Sequence, residues 1–303
     1  MTGPLVECVP NFSEGRNPER VDVLVKAIIA VGGVKLLDVH SDPDHNRSVV
    51  TFAGAPEAAL EAAVIGAGLA AELIDLRRHR GAHPRIGACD VLPFVPLSGT
   101  SLEECAALAV RAGEEIWRRF RVPAYLYEAA ARRADRRDLA AIRQGQYERL
   151  RELVRTDPLR RPDIGGPELH PTAGAVAVGA RPILIAFNVE LSGGDLGVAR
   201  AVAARIRSAA GGLVGVKAMG VWLASCGRAQ VSMNLTDWER TPPGRALEAV
   251  AVEAARLGAG IARAEVVGLA PRAALESLAS SAFPVAGAGN VLEERVAAAF
   301  ADP

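Results

Sequence analysis

The chain has 303 residues, half of them apolar and only 4 % aromatic, and its 35 basic and 35 acidic side chains cancel. That length suits about two domains, with cores built mostly on Ala, Val, Leu and Ile. The hydrophobicity excludes extensive disorder, and zero net charge leaves no electrostatic footprint for nucleic acid or an anionic membrane.

The opening MTGPLVECVPNF lacks the cationic and apolar regions of a signal peptide. Leu5 to Val9 reads as a strand ended by Pro10. A turn at Asn11, Ser13, Glu14 and Gly15 leads into a helix over Pro18 to Val31. Val34 to Val39 is a second strand, Ser41-Asp42-Pro43-Asp44 a turn, and Arg47 to Ala53 a third strand. Pro56 opens an Ala-rich helix to Ile74. Glu61 and Glu72 interrupt its apolar run, which falls short of the ~20 residues of a membrane span. Val91 to Val95 completes the order β-α-β-β-α-β, the ferredoxin-like unit. Thr100 and Ser101, with Glu103 and Glu104, form a capping-box pattern for a helix to Arg119. Val122 to Tyr127 is a further strand. Arg132 to Arg155 reads as one charged, solvated helix, and Pro158 to Gly179 as a long loop of the kind that carries function.

The same order then returns. Ile183 to Phe187 is a strand, Ser192-Gly193-Gly194 a turn, and Leu196 to Ala209 a helix. Val216 to Leu223 and Ala229 to Leu235 are strands around the turn Ser225-Cys226-Gly227. Pro243 opens a helix to Leu257, and Glu265 to Leu269 is the last strand. The pattern predicts an α/β (α+β) fold of two similar ferredoxin-like subdomains, residues 1–180 and 181–303, each a mixed sheet with helices on one face. Cys8, Cys89, Cys105 and Cys226 have no CxxC spacing and read as free thiols of a reducing, cytoplasmic compartment.

Four stretches can carry chemistry. Arg77 to Asp90 places His79 and His83 among four arginines between a helix and a strand. Histidine suits proton transfer near neutral pH, and Pro84 restrains His83. His40 to Arg47 is either a metal-ligand cluster, a substrate-contacting turn or an ordinary turn rich in Asp, Asn and Pro. Gln230, Ser232 and Asn234 alternate with Val231, Met233 and Leu235, giving a strand with one uncharged polar face. Arg47, Val49 and Thr51 line the corresponding strand of the first half. Asp163 to Gly174 has the Gly and Pro spacing of a fixed loop with exposed backbone donors. No GK[ST], GxGxxG or GxSxG motif is present.

These stretches resemble the glutamate formiminotransferases over nearly the whole chain. Val6 to Arg16 is similar to the family's opening signature. Leu37-Asp38, Asn46-Arg47 and Thr51-Phe52 fit its next segment, and His83 to Ala88 with Asp90 its central motif. Val122-Pro123, Tyr125 to Ala130, Gly179 to Arg181, Leu184 to Asn188, Gln230 to Ser232 and Val267 to Leu269 continue the match. The sequence departs from the vertebrate pattern at His40, where a carboxylate is expected, and at Thr172 and Ala173, where bulkier residues are expected. The resemblance implies two α/β subdomains with a substrate groove between them. The implied activity is transfer of the formimino group from N-formimino-L-glutamate to tetrahydrofolate, a step in histidine degradation.

On that reading His83 is the catalytic acid/base. The folate loop is Gly165, Gly166, Pro167, Glu168, Leu169, His170, Pro171, Thr172, Ala173 and Gly174. Asn11, His40, Arg47, Arg85, Gln230 and Ser232 contact substrate, with Arg47 and Arg85 paired to carboxylates. Tetrahydrofolate is the co-substrate and no metal is required. The family implies a homodimer, and any cyclodeaminase acting on the product is expected to be a separate protein. The alternatives are formyl transfer between 5-formyltetrahydrofolate and glutamate, a metal-dependent hydrolase built on His40, Asp42, His45, His79 and His83, and a folate binder without catalysis.

Overall fold

A computed structural model describes residues 3–301 and divides the chain into two units, Met1–Pro182 and Ile183–Pro303. Met1, Thr2, Asp302 and Pro303, which belong to the chain ends read above, lie outside the described residues.

The first unit opens with β1 (Leu5–Cys8) and β2 (Asn11–Phe12). They are one strand interrupted at Val9-Pro10, where proline cannot donate to the ladder. Then come α1 (Pro18–Ile29), β3 (Val34–Asp42), β4 (Arg47–Gly54), α2 (Pro56–Leu73) and β5 (Cys89–Ser98). The interrupted strand lies between β4 and β5, with β3 on the outer edge of β4, all antiparallel. Alternation decides the faces. Val6, Cys8, Phe12, Val50, Phe52, Leu92 and Phe94 fill a core beneath the helices, while Glu7, Asn11, Val49 and Thr51 occupy the other face. α2 packs closely on α3 (Leu102–Phe120), since a Cβ on Gly68 would lie 2.2 Å from the Phe120 ring. The capping box forms as expected. Ser101 Oγ accepts from the Glu104 amide, and the Glu104 carboxylate accepts from the Ser101 amide.

The segment after α3 departs from expectation. β6 (Ala124–Glu128) does not pair directly with β5. A strand missing from the sequence reading, β7 (Val176–Ala180), lies between them in parallel with both. The loop read to Gly179 therefore ends before Val176. The single helix expected over Arg132 to Arg155 is instead a 3-10 turn at Ala134–Arg136, then α4 (Leu139–Ile142) and α5 (Gln146–Thr156). Gly145, at φ 87°, makes the break between the two helices. Nor is this segment simply solvated. Ile142, Leu150 and Val154 cover Val91, Tyr125, Tyr127 and Ala177 on the face of the sheet away from α1, α2 and α3.

The second unit repeats the order as β8 (Ile185–Ser192), α6 (Leu196–Ile206), β9 (Val216–Leu223), β10 (Arg228–Leu235), α7 (Pro243–Arg256) and β11 (Gly260–Val267). The helix read to Ala209 ends at Ile206, and the strand read from Glu265 begins at Gly260. α8 (Arg272–Glu276), β12 (Val285–Ala286) and α9 (Leu292–Ala299) follow. The sheet order is β12-β11-β8-β10-β9, with β12 parallel to β11 and the rest antiparallel. Phe187, Val189, Val231, Met233 and Val266 face the helical core. Among the described residues, no helix is long and apolar enough to cross a membrane.

Candidate active site

His83 stands on the connection between α2 and β5, residues 74–88. This loop is tied down throughout its length, as backbone groups away from water require. Asn46, at φ 49° in the turn between β3 and β4, accepts from the Gly15 amide through Oδ1 at 3.0 Å. Its Nδ2 donates to the Arg80 carbonyl at 3.0 Å, and the Ala82 amide donates to Asp44 O. Farther on, Ser13 Oγ donates to Gly87 O at 2.7 Å, and the Ser13 amide to Ala88 O. Gly87 has to be glycine, because a Cβ there would lie 2.0 Å from Ala175 O. Gly81 is held against His45 in the same way, with its Cβ position 2.2 Å from the His45 carbonyl.

His79 and Arg85 belong to this scaffold. Nδ1 of His79 accepts from Arg85 Nε at 3.1 Å, and its Nε2 lies 2.8 Å from Asn46 O. A carbonyl only accepts and a guanidinium only donates, so the ring is neutral with its proton on Nε2. Burial lowers its pKa in the same sense. Arg85 also forms a two-pronged pair with Glu148 at 2.7 and 2.6 Å and donates to Gln146 Oε1 and His79 O. Its guanidinium thus joins the loop to α5.

His83 has different surroundings. It is half-buried, and its ring lies 5.9 Å from that of His45 between centroids. Burial, and then the charges of Arg47 and Arg143 and the His45 ring, hold its pKa well below the ordinary imidazole value. The imidazole is therefore neutral at physiological pH, the state a general base requires. Burial and the neighbouring Arg143 charge bring even Arg47 down to about 10, against the opposing charges of Asp90 and Asp42. The buried Nε atoms of Arg47 and Arg143 have no hydrogen-bond partner among the described residues. Arg143 binds Asp90 Oδ2 through Nη2, and the Ile86 amide donates to Asp90 Oδ1 at 2.7 Å. Two guanidiniums with spare donors thus flank a neutral imidazole.

The loop over residues 165–174 is locked behind this site. Gly165, Gly166 and Gly174 take φ of 79°, 84° and 72°, and the Gly166–Pro167 bond is cis. The Ala88 amide donates to Ala173 O, the Ala175 amide to Ile86 O, and the Leu76 amide to Thr172 O. Tyr147 Oη donates to Pro171 O at 2.9 Å. His170 Nδ1 accepts from the Ala173 amide at 3.0 Å, so this ring closes its own loop. Glu168 pairs with Arg155 at the surface.

The remaining expected residues are spread over both units. Asn11 is buried and donates to Val9 O at 2.7 Å. His40 is half-buried on β3 opposite Val49. In the second unit the polar face of β10 is graded, with Gln230 buried, Ser232 half-buried and Asn234 exposed. Gln230 pairs in register with Glu190, which receives Arg228 and Arg263. The buried Oε1 of Gln230 has no hydrogen-bond partner among the described residues. Among the described residues, no group of three or more His, Cys, Asp or Glu side chains is placed to hold a metal ion. Asp42 Oδ1 instead accepts from the Asp44 and His45 amides, as a turn residue does.

Comparison with known proteins agrees with this architecture. The sequence matches the formiminotransferase domain, N-terminal subdomain, over residues 5–181, and the formiminotransferase domain over residues 186–295. The chain belongs to the formiminotransferase family. It is 46 % identical over 296 residues to a glutamate formimidoyltransferase of Thermoplasma acidophilum, a match covering 96 % of this chain and 97 % of that one. Identity to the glutamate formimidoyltransferase of Streptococcus pyogenes is 43 % over 275 residues, covering 91 % and 92 %. The formimidoyltransferase-cyclodeaminase of Gallus gallus is 43 % identical over 277 residues, which cover 89 % of this chain and 51 % of that protein. Within this formiminotransferase, His83, Arg47 and the 165–174 loop all fall in the N-terminal subdomain, and Gln230 and Ser232 in the other. Arg143 was missed because it lies in a segment read as solvated. Asp90, an acid buried inside the central motif, was the available signal that a cation had to reach it.

Proposed function

We propose that this formiminotransferase transfers the formimino group of N-formimino-L-glutamate to N5 of tetrahydrofolate, giving 5-formiminotetrahydrofolate and L-glutamate. The observation that carries the reading is a neutral His83 flanked by Arg47 and Arg143, whose buried Nε donors have no partner among the described residues. A dicarboxylate donor substrate supplies the acceptors those guanidiniums lack, and arginine pairs with carboxylates in two-pronged geometry.

The chemistry then follows. N5 attacks the formimino carbon while His83 takes the N5 proton, and a tetrahedral intermediate forms. Its bond to the glutamate nitrogen breaks as His83 returns the proton to that nitrogen. The adjacent guanidiniums disfavour a lasting imidazolium, so the proton is passed on rather than stored. A positioned acid/base of this kind contributes roughly 10²–10⁴-fold. In this assignment Arg47, Arg85 and Arg143 are the guanidiniums that pair with the substrate carboxylates. The backbone of residues 165–174 holds the folate, and Asn11, His40, Gln230 and Ser232 supply further polar contacts. The two expected subdomains, 1–180 and 181–303, are the working halves of the enzyme, acting as a homodimer in the cytoplasm. A cyclodeaminase is the activity that consumes the product.

The test is one assay. Purified protein is mixed with formiminoglutamate and tetrahydrofolate, with and without chelator, and 5-formiminotetrahydrofolate is followed. Equal product in both arms is expected. No product with this donor, but turnover of 5-formyltetrahydrofolate with glutamate, would replace formimino by formyl transfer. Product lost on chelation would overturn the metal-free mechanism.

A further inference from the structure

Glu7 is a buried acid with no part in the reaction above. It lies on β1 and is 5 % exposed. Its neighbours Val6 and Cys8 fill the helical core, so its side chain projects from the opposite face of the sheet. Its strand partners there are Ala53 on β4 and Val95 on β5, which have no polar side-chain atoms. Among the described residues, no hydrogen bond or ion pair reaches its carboxylate, and the charge that acts on it from a distance is Arg181. An unpaired buried carboxylate is costly to keep. Burial pushes the Glu7 carboxyl up to about 7, with Arg181 opposing.

The position is continuous with the site. Glu7 and Asn11 share one face of the interrupted strand, and Asn11 pairs with Val49, two residues along β4 from Arg47. Tyr127, buried on the same sheet face, responds to both Arg181 and Arg143. Arg143 in turn acts on His83. Glu7, Asn11 and Tyr127 thus share the sheet face that also carries Val49 and Arg47. The charge that reaches Glu7 there is the Arg181 guanidinium, which only donates. Between Arg181 and Glu7 this face changes from donor to pure acceptor.

That change fits one part of the co-substrate. The 2-amino-4-oxopyrimidine ring of a tetrahydropterin presents a ring N–H beside an exocyclic amine. A carboxylate accepts from such an edge with both oxygens, as acidic side chains accept from the amino groups of bases. Resting on the folate reading above, we propose that Glu7 binds the aminopyrimidine edge of tetrahydrofolate through its two carboxylate oxygens.

A double-mutant cycle between residue and ligand tests this. Wild type and Glu7→Gln are each titrated with tetrahydrofolate and with its analogue carrying methyl in place of the 2-amino group. Hydrogen bonds to a charged group correspond to losses of roughly 10- to 100-fold. Wild type should bind the analogue that much more weakly than tetrahydrofolate. Glu7→Gln should bind tetrahydrofolate weakly, yet bind the analogue as well as wild type does, with KM for formiminoglutamate unchanged. Wild-type affinity for tetrahydrofolate should tighten as pH rises through about 7, because only the ionised carboxyl accepts both bonds. The Glu7→Gln affinity should stay flat. The variant should melt no lower than wild type at pH 8, having lost a buried charge. Additive losses, or a change confined to the formiminoglutamate KM, would overturn the assignment while leaving the folate reading intact. A wild type with no affinity for tetrahydrofolate would overturn both.

Discussion

The two units use the same β-α-β-β-α-β order, yet they enter their last core strand differently. In the second unit α7 passes to β11 through Leu257, Gly258 and Ala259 alone. In the first unit the chain from α2 to β5 runs through Ile74–Ala88, carrying His79, His83 and Arg85. The short connection is all the fold requires. The long one is surplus to folding, and loops of that kind on a rigid scaffold tend to carry binding and catalysis. The sheet faces differ too. α4 and α5 cover part of the first, whereas the second carries Glu190, Gln230, Asn188 and Ser232 in register across β8 and β10.

If the long connection holds the chemistry, its removal should be felt in turnover, and loss of the second unit's polar face in binding. His83→Ala is expected to lower kcat by roughly 10²–10⁴-fold with tetrahydrofolate affinity retained. Gln230→Ala should raise KM with kcat nearly intact. The comparison fails if equilibrium binding and steady-state kinetics give the reverse pattern.

Arg47→Gln gives a smaller effect with a distinctive pH signature. Arg47 is one of the charges holding His83 below its ordinary pKa. Its removal raises that pKa, so a larger fraction of the base is protonated at a given acidic pH. The acid limb of the kcat/KM profile should move to higher pH, with an added rise in KM for formiminoglutamate. An unshifted acid limb would show that Arg47 does not govern the ionisation of His83.

How far the sequence foretold this site depended on what each segment buries. Alternation along Ala229 to Leu235 identified a strand that buries one side against helices and grades its polar side out to solvent. Along Arg47 to Ala53 the same alternation found the strand but not its burial, since β4 is buried on both faces from Ser48 onward. Val176 to Ala180 escaped because a parallel strand covered on both faces shows no alternation, only a run of small apolar residues. Arg132 to Arg155 misled in the opposite sense. Its charge density hid Ile142, Leu150 and Val154, which cover the sheet, and with them Arg143. The motif around His83 was legible because proline and glycine fix its backbone. That Arg85 and His79 bond each other could not be read from spacing, since Glu148 and Asn46 come from distant segments.

The smallest predicted effect separates a turn that holds the active-site loop from one that only reverses the chain. Asn46 and Gly227 occupy left-handed positions in the β3–β4 and β9–β10 turns, at φ 49° and 62°. Asn46→Gly keeps the backbone conformation and deletes the bonds to Gly15 and Arg80. Two net hydrogen bonds correspond to about 2 kcal/mol, a fall of several degrees in Tm. Because one of those bonds anchors the loop that bears His83, kcat should fall as well. Gly227→Asn is the control in the second unit. A Cβ there meets nothing within 4 Å, and asparagine is among the residues that tolerate this region, so stability should change by no more than about 1 kcal/mol and kcat not at all. Equal and silent responses at the two turns would mean that the Asn46 bonds do not position His83, and that the α2–β5 connection holds its geometry through Ser13, Gly87 and the 165–174 loop alone.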